Sequence, residues 1–290
     1  MARSKVTNMK IFNLFEFDAK IQVMDVGAAA IAETPIYKIL LDKKLAHLTA
    51  FDGDERQIQK LKEAYGLNNL SIFNYFLFDG EKHKVYLCAP ESGMTSIFKP
   101  RIESLNFFNG FSHFGKVETI EEIQTTKIDS INNLKTPDFL KMDVQGAELG
   151  ILKNGLKTFK NCLAMQLEVS YFPLYEDQPT FGEIDVYMRT IGFVPHLFLD
   201  VKRWSITPTI FNDNFRIAGN QLLESDIVYV RDPLKILELN DIQLQKLAIL
   251  AHYSFKSFDY CGWLILEMER RSLVSADSYI KYIENNKEFD

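Results

Sequence analysis

Short apolar runs alternate with segments of helical period through most of this chain, and several of these runs end at a glycine or a carboxylate. IQVMDV precedes Gly27, HLTAF precedes Asp52 and DFLKM precedes Asp143. Strands of a parallel sheet are buried on both faces and appear as continuous apolar runs, whereas the helices that connect them carry a period of 3.6. The alternation therefore predicts an α/β fold with a mostly parallel sheet.

The same pattern predicts the individual elements and their grouping into domains. We expect helices at about 31–44, 54–65, 147–155, 181–191 and within 240–286, strands at 21–26, 47–51, 70–78, 139–142, 162–169, 195–201 and 226–232, and a short extra strand at 85–89. Residues 1–235 would form a Rossmann-like domain with an N-terminal extension at 1–20 and an irregular lid or substrate loop at 90–115. Residues 236–290 would be a helical extension that packs on the sheet or forms a homodimer interface.

Composition excludes several classes of function. The formal net charge of -6 gives no broad basic surface, which sequence-independent binding of nucleic acid requires. The chain has only three cysteines, widely spaced, which predicts neither a disulfide framework nor a zinc site. We find no apolar stretch of membrane-spanning length and no secretory signal, so the expected location is cytoplasmic.

The segment VMDVGAAA, residues 23–30, ends the first predicted strand at Gly27 and opens into a helix. Small residues at such a turn let backbone approach a ligand, and the start of the helix offers N–H groups. The G-x-G-x-x-G pattern of dinucleotide-binding folds is absent, because Ala28 and two further alanines follow Gly27. An ordinary strand-to-helix turn is the alternative interpretation.

Acidic residues stand at or near the ends of three successive strands. Asp25 lies in the first, Asp52 follows the second and Asp79 follows the third. A carboxylate beyond the second strand commonly accepts hydrogen bonds from ribose hydroxyls, and Asp79 could meet an adenine amino group. Taken singly, each acid could equally be a solvated turn residue.

The fourth predicted strand runs into KMDVQGAE and places Lys141 and Asp143 on one side of the chain. Glu168 occupies the matching end of the fifth strand. These two carboxylates could polarise a substrate hydroxyl through a divalent metal ion, or one of them could accept its proton directly. Alternatively, Asp143 orients Lys141 or the cofactor. Glu148, in the first turn of the next helix, would be favoured there by the helix dipole.

Among the five histidines, His113 in the irregular segment FSHFG is the best placed to act as a general base near neutral pH. A loop residue without a chemical role is the alternative. Aromatic residues of the same segment and of the segment after the fifth strand could stack on a sugar ring; they are Phe107, Phe108, Phe111, Tyr171, Phe172 and Tyr175.

Taken together, these residues resemble the FkbM family of S-adenosylmethionine-dependent methyltransferases. The strongest likeness is PDFLKMDVQGAELGILKNG, residues 137–155. The supporting matches are MDVGA, FDGD, FLFDG, GMTSIF, VETIEEI, LEVSYFPLYEDQPTF and SDIVYVRD, and the likeness extends from about Gln22 to Arg231. The chain departs from the family at Ala28 and the two alanines after it, and at Gly53, where the family usually has proline.

The resemblance implies a class I methyltransferase fold, in which a seven-stranded sheet has its last strand antiparallel, and methyl transfer to a hydroxyl of a sugar or natural product. The donor S-adenosylmethionine would be bound by Asp25, Gly27, Ala28, Asp52 and Asp79. The catalytic residues would be Asp143, Glu168, Lys141 and His113, with Asp143 and Glu168 as ligands if a metal takes part. Two alternatives keep the fold: a nicotinamide-dependent sugar oxidoreductase, and a non-catalytic module in a glycan-assembly complex.

Overall fold

A computed structural model describes residues 11–28, 34–65, 69–89 and 91–286. Contacts divide these residues into two units. The larger unit contains residues 22–28, 48–65, 69–89 and 91–233, and the smaller contains residues 11–21, 34–47 and 234–286. The domain division at residue 235 stays a prediction.

Nine strands and ten α-helices are formed by the described residues. The strands are β1 (Ile21–Val26), β2 (Ala46–Phe51), β3 (Leu70–Phe73), β4 (Lys82–Cys88), β5 (Val117–Gln124), β6 (Phe139–Met142), β7 (Ala164–Ser170), β8 (Phe193–Trp204) and β9 (Gln221–Arg231). The helices are α1 (Lys38–Asp42), α2 (Glu55–Tyr65), α3 (Ile102–Phe107), α4 (Phe111–Phe114), α5 (Glu148–Lys153), α6 (Leu156–Phe159), α7 (Phe181–Thr190), α8 (Asp241–Leu250), α9 (Phe258–Arg270) and α10 (Ser278–Asn285). Short 3₁₀ turns lie at Ile11–Asn13, Ile128–Ser130 and Pro233–Glu238, and a π-helical turn at Ala251–Phe255.

Seven strands form one sheet in the order β3-β2-β1-β6-β7-β9-β8. The pairs β2–β3, β1–β6 and β6–β7 are parallel, whereas β9 is antiparallel to both β7 and β8. The last strand of the chain is therefore inserted in the opposite direction between β7 and β8. This arrangement confirms the expected α/β fold with a mostly parallel seven-stranded sheet and an antiparallel last strand.

The two faces of the central strands differ in chemistry. Met24, Leu140 and Met165 are aligned across β1, β6 and β7, and all three are buried in the main hydrophobic core. The neighbouring row on the other face contains Asp25 and Lys141. Since side chains of a strand alternate between faces, one face of these strands is apolar and the other is polar where the strands end.

Several elements differ from their predicted bounds. β3 ends at Phe73 instead of continuing to residue 78, because Asn74 turns away and its amide donates to the Asp52 carbonyl at 3.1 Å. The first residues of the predicted helix 31–44 lie outside the described part of the chain. In the described part, α1 begins only at Lys38, after a turn in which Lys38 N–H donates to the Pro35 carbonyl.

The stretch 90–115 is more ordered than predicted from its sequence, apart from Pro90, which lies outside the described residues. It contains α3 and α4, and it packs beside a separate antiparallel pair formed by β4 and β5. β5 was not expected from the sequence, because most of its residues are exposed and its apolar positions do not form a continuous run.

The smaller unit is built around three helices, α8, α9 and α10. Half of the residues of α8 are buried, and α9 buries Cys261, Leu264 and Met268. The His252 ring, in the π-helical turn, forms a hydrogen bond of 2.8 Å with the Tyr282 hydroxyl. None of the helices in the described residues is long and apolar enough to cross a membrane. Association of two copies through this unit stays a prediction.

Candidate functional site

The turn after β1 brings two backbone segments into direct contact. Gly27 has a φ of +78°, and a Cβ atom added there would lie 1.8 Å from the Asp143 carbonyl oxygen. Asp143 N–H donates to the Val26 carbonyl at 3.0 Å across the same junction. Only glycine satisfies both the left-handed backbone and this close approach.

The N–H groups of Gly27 and Ala28 do not point toward open space. Both donate to the carbonyl of Phe51 at the end of β2, at 2.9 and 3.0 Å. These two residues therefore shape the turn, and their N–H groups are already engaged within the sheet. The next two alanines of the motif lie outside the described residues.

Asp52 follows β2 on the same side of the sheet. Its carboxylate accepts a hydrogen bond from Asp54 N–H at 2.7 Å, which fixes the turn into α2. Burial is the largest influence on this carboxyl and raises its pKa to about 7, although the hydrogen bond from Asp54 acts in the opposite direction. A carboxyl in this environment is suited to accept hydrogen bonds from a ligand that shields it from water.

A row of polar side chains crosses the sheet from β1 to β9. Asp25 is aligned with Lys141, Lys141 with Gln166, and Glu168 with Asp226. Gln166 also donates to Asp226 at 2.8 Å. Four strands that are far apart in the sequence therefore contribute polar groups to one surface.

Lys141 lies between two of the acids that the sequence singled out. Its Nζ is 3.6 Å from Asp25 and 3.8 Å from Asp143, and its side chain is 15% exposed. Burial disfavours the charged amine, but the neighbouring carboxylates, Asp25 first, outweigh burial and raise its pKa above the ordinary value. Lys141 is therefore a permanent cation that holds Asp25 and Asp143 near each other.

Gln145 connects the two carboxylates proposed for catalysis. Its Nε2 donates to Asp143 at 3.1 Å and to Glu168 at 2.8 Å. Its Oε1 accepts a hydrogen bond from the Tyr175 hydroxyl at 2.9 Å, and its main-chain carbonyl accepts one from Ser96 at 2.7 Å. Gln145 lies in the motif KMDVQGAE, but no role for it could be predicted from the sequence.

Glu168 is in turn coupled to a pair contributed by β8 and β9. Lys202 Nζ lies 2.8 Å from Glu224 and 3.9 Å from Glu168. Burial, followed by repulsion from Asp143 and Glu224, raises the pKa of Glu168 well above its ordinary value, and Lys202 counteracts part of this shift. Glu168 is thus a carboxylate with increased affinity for a proton, and the strength of a general base increases with this affinity.

Glu148 has a structural role. Its carboxylate accepts hydrogen bonds from the N–H groups of Val144 at 2.9 Å and Gly146 at 3.3 Å. Burial raises its pKa to about 7, and these hydrogen bonds limit the shift. It caps the turn between β6 and α5, which holds Asp143 and Gln145 in place.

The other two predicted site residues have partners of their own. Asp79 accepts hydrogen bonds from the His83 ring at 2.9 Å, from Glu81 N–H at 2.9 Å and from Thr125 at 3.3 Å. His113 is exposed on α4, with its ring 6.1 Å from that of Phe114. The roles of Asp79 in donor binding and of His113 as a base stay predictions.

The aromatic residues expected to face a sugar mostly pack on one another. Phe107 and Phe172 are stacked with their ring centroids 5.1 Å apart. Phe108 and Tyr175 are each 1% exposed, so the expectation that these two stack on a substrate is wrong. They form the hydrophobic core under α3 and α4, and Tyr175 reaches the site only through its hydroxyl.

Lys202, Glu224 and Asp226 were missed as site residues. β8 continues to Trp204 and β9 starts at Gln221, so Lys202 and Glu224 lie in strands beyond the predicted bounds. The polar run Glu224–Asp226 directly before the apolar run IVYV interrupts the strand pattern, so no clear signal in the sequence marks Gln221 as the start of the strand.

A divalent ion does not fit between Asp143 and Glu168. The group that faces both carboxylates is the Gln145 amide, which donates to both of them through its NH₂ edge. An NH₂ group cannot ligate a cation. Within residues 11–28, 34–65, 69–89 and 91–286, no three histidine, cysteine or carboxylate side chains come together as they would around a metal ion.

The strand order and the site at the ends of β1, β2, β6 and β7 define the class I methyltransferase fold. The model of the methyltransferase FkbM domain matches residues 25–195, more than half of the chain. The chain therefore belongs to the FkbM methyltransferase family, as its motifs suggested. No curated protein matches it in sequence.

Solved structures show distant likeness. A putative methyltransferase from Thermoplasma acidophilum is 10% identical, with 74% of this chain and 70% of that chain covered and a TM-score of 0.35. Magnesium protoporphyrin IX methyltransferase from Synechocystis PCC 6803, solved with bound S-adenosylmethionine, is 11% identical over 73% and 71%, with a TM-score of 0.35. An uncharacterised protein from Listeria monocytogenes serotype 4b is 9% identical over 92% and 89%, with a TM-score of 0.36. At these scores, the fold assignment rests on the strand order.

Proposed function

We propose that this protein is an S-adenosylmethionine-dependent O-methyltransferase that acts on a hydroxyl group of a sugar or a similar polyol. The observation that carries the proposal is the pair Asp143 and Glu168, two carboxylates at the ends of adjacent strands, beside the Gly27 turn that characterises the donor side of the fold.

The donor side is formed by Gly27, Ala28 and Asp52. Gly27 lets the end of β1 approach the Asp143 backbone closely, which places the turn beside the acceptor carboxylates, and Asp52 would accept hydrogen bonds from the ribose hydroxyls. Asp25, held by Lys141, would contribute negative potential toward a cationic donor. S-adenosylmethionine, when bound, supplies an electrophilic methyl group on a sulfonium.

The acceptor side is formed by Asp143 and Glu168. Asp143 is about one-third exposed and can accept a hydrogen bond from the substrate hydroxyl. Glu168 is nearly enclosed and has a raised pKa, so it is the better acceptor for the proton that the hydroxyl must release. Methyl transfer then needs only alignment and exclusion of water.

A polyol is favoured as the acceptor by the mixture of groups around the pair. Carboxylates, two amides and two lysines lie within one surface, so donors and acceptors alternate over short distances. Neighbouring hydroxyls of a sugar can both donate and accept hydrogen bonds, and such a surface can satisfy several of them at once.

The test is a titration followed by a transfer assay. We expect S-adenosylhomocysteine to bind the purified protein and NAD not to bind. Incubation with S-adenosylmethionine and a panel of sugars, sugar nucleotides and amines should add the mass of one methylene group to a hydroxyl compound. Binding of NAD without S-adenosylhomocysteine would overturn the proposal in favour of a sugar oxidoreductase, and methylation of amines alone would overturn the O-methyl assignment.

A further inference from the structure

From the contacts around Gln145 we infer that its side-chain amide positions the carboxylates of Asp143 and Glu168 for methyl transfer, occupying the place between them that a divalent cation would otherwise take. The inference rests on the proposed function, because it assigns a positioning residue to that reaction. Gln145 itself does not contact the reacting atoms.

The first supporting observation is that both N–H groups of the Gln145 amide donate hydrogen bonds to carboxylates. One N–H of Nε2 is directed to Asp143 at 3.1 Å and the other to Glu168 at 2.8 Å. Two adjacent carboxylates repel each other, and a shared donor both offsets this repulsion and fixes the direction of each carboxylate. The remaining lone pairs of Asp143, the more exposed of the two, are left for a substrate hydroxyl.

The second observation is that the structure constrains Gln145 from every direction. Tyr175, which is buried, donates to Oε1, and Ser96, also buried, donates to the main-chain carbonyl. Rotating the amide by half a turn would bring Oε1 against the two carboxylates and lose both hydrogen bonds that Nε2 donates to them. The orientation of the NH₂ edge toward the carboxylates is therefore enforced.

The third observation is the backbone of Gln145. Its φ of +55° is in the left-handed region, which a residue with a long side chain adopts at a cost of about 1–2 kcal/mol. Glycine or asparagine would adopt this conformation more easily. A strained glutamine at a site-lining turn indicates that its side chain contributes something that the turn itself does not need.

Two substitutions separate positioning from structure. Gln145→Leu removes both donors at similar size, and we expect kcat to fall at least about tenfold, as for the loss of a buried hydrogen bond. Gln145→Asn keeps the amide and relieves the backbone, but it is one methylene shorter and cannot span both carboxylates. We expect the Gln145→Asn variant to fold as stably as the wild type and to have a lower kcat. Its dissociation constant for S-adenosylhomocysteine should change less than about twofold.

Tyr175→Phe should give a smaller loss of kcat, because both hydrogen bonds from the Gln145 amide to the carboxylates remain. The substitution removes only the hydroxyl that reaches Gln145 Oε1 and the Met94 carbonyl. Tyr229→Phe is the matched control, since Tyr229 is also buried in the sheet but its hydroxyl lies 3.4 Å from Asp185 on α7. Wild-type kcat in Gln145→Asn would overturn the inference, and so would losses of kcat that merely follow losses of donor binding or of folded protein.

A spectroscopic measurement decides the matter even if no acceptor is found. In ¹⁵N-labelled protein, the two side-chain amide protons of Gln145 should exchange slowly and should shift when Glu168→Gln is introduced. Fast exchange and insensitivity to that substitution would overturn the role of Gln145. Failure of the proposed function is recognised differently, as a wild-type protein that neither binds S-adenosylhomocysteine nor transfers a methyl group.

Discussion

The two sides of the site are built in different ways. The proposed donor side consists of the turns after β1 and β2, where Gly27 fixes the backbone shape and Asp52 offers a single carboxylate. The acceptor side consists of side chains from β6, β7, β8 and β9 that meet in one hydrogen-bonded and ion-paired group. Changes on the donor side should therefore alter ligand binding, and changes on the acceptor side should alter the rate of the chemical step.

The largest effect is expected from Glu168→Gln. It removes the carboxylate that would accept the proton of the reacting hydroxyl, so kcat should fall by about 10²- to 10⁴-fold, the contribution typical of general acid–base catalysis. Steady-state kinetics measures the change in kcat, and a titration with S-adenosylhomocysteine measures the change in donor affinity. Asp185→Asn is the control, because Asp185 pairs with Arg189 on α7. Equal losses of kcat and donor affinity would erase the distinction between the two sides.

Gly27→Ala should be the most damaging change on the donor side. The new Cβ would meet the Asp143 carbonyl, and the left-handed backbone adds strain, so the free energy of unfolding should fall by more than about 2 kcal/mol. Chemical denaturation measures this loss. Gly182→Ala is the matched control, since a Cβ there meets nothing within 4 Å and a helical alanine is favoured over glycine. If Gly27→Ala proved as stable as Gly182→Ala, the contact between Gly27 and the Asp143 backbone would have to be loose enough to admit a Cβ atom.

Asp52 should make stability depend on pH. Its pKa of about 7 in the folded chain exceeds the ordinary 3.8. Between pH 3.8 and about 7, the folded state therefore binds more protons than the unfolded state. Stability contributed by the protonated form is complete at low pH and is lost as pH rises through about 7. Thermal melts of wild type and Asp52→Asn should therefore diverge from about pH 4 to 7, with the wild type losing stability relative to the variant, and should run parallel above that range. Parallel curves within that range would contradict the burial of this carboxyl.

The smallest effect is expected from Asp79→Asn. If Asp79 contacts the adenine amino group, one hydrogen bond of about 1 kcal/mol is lost and the dissociation constant of S-adenosylhomocysteine should rise about fivefold. His83→Gln, which removes a partner of Asp79 and leaves the carboxylate, serves as the comparison. An unchanged dissociation constant in Asp79→Asn would remove Asp79 from the donor side.

The difference between the two sides also explains what could be predicted from the sequence. β1 and β6 were predicted with correct bounds, and Gly27, Asp52 and Asp143 could be proposed as site residues because each lies directly at the end of an apolar run. Local sequence encodes such turns. Lys202 and Glu224 could not be placed beside Glu168 in the same way, because their proximity depends on how β8 and β9 pair across the sheet. Gln145 was overlooked because its partner Tyr175 is distant in sequence.

One further consequence follows from the alignment of β1, β6 and β7. Met24, Leu140 and Met165 share a row in the core, and Asp25, Lys141 and Gln166 share the adjacent row on the opposite face. If β6 paired one residue out of place, Lys141 would enter the hydrophobic core and Met142 would replace it among the acids. A misaligned sheet would thus be unstable as well as inactive, so the packing of the core selects the same strand alignment that the chemistry requires.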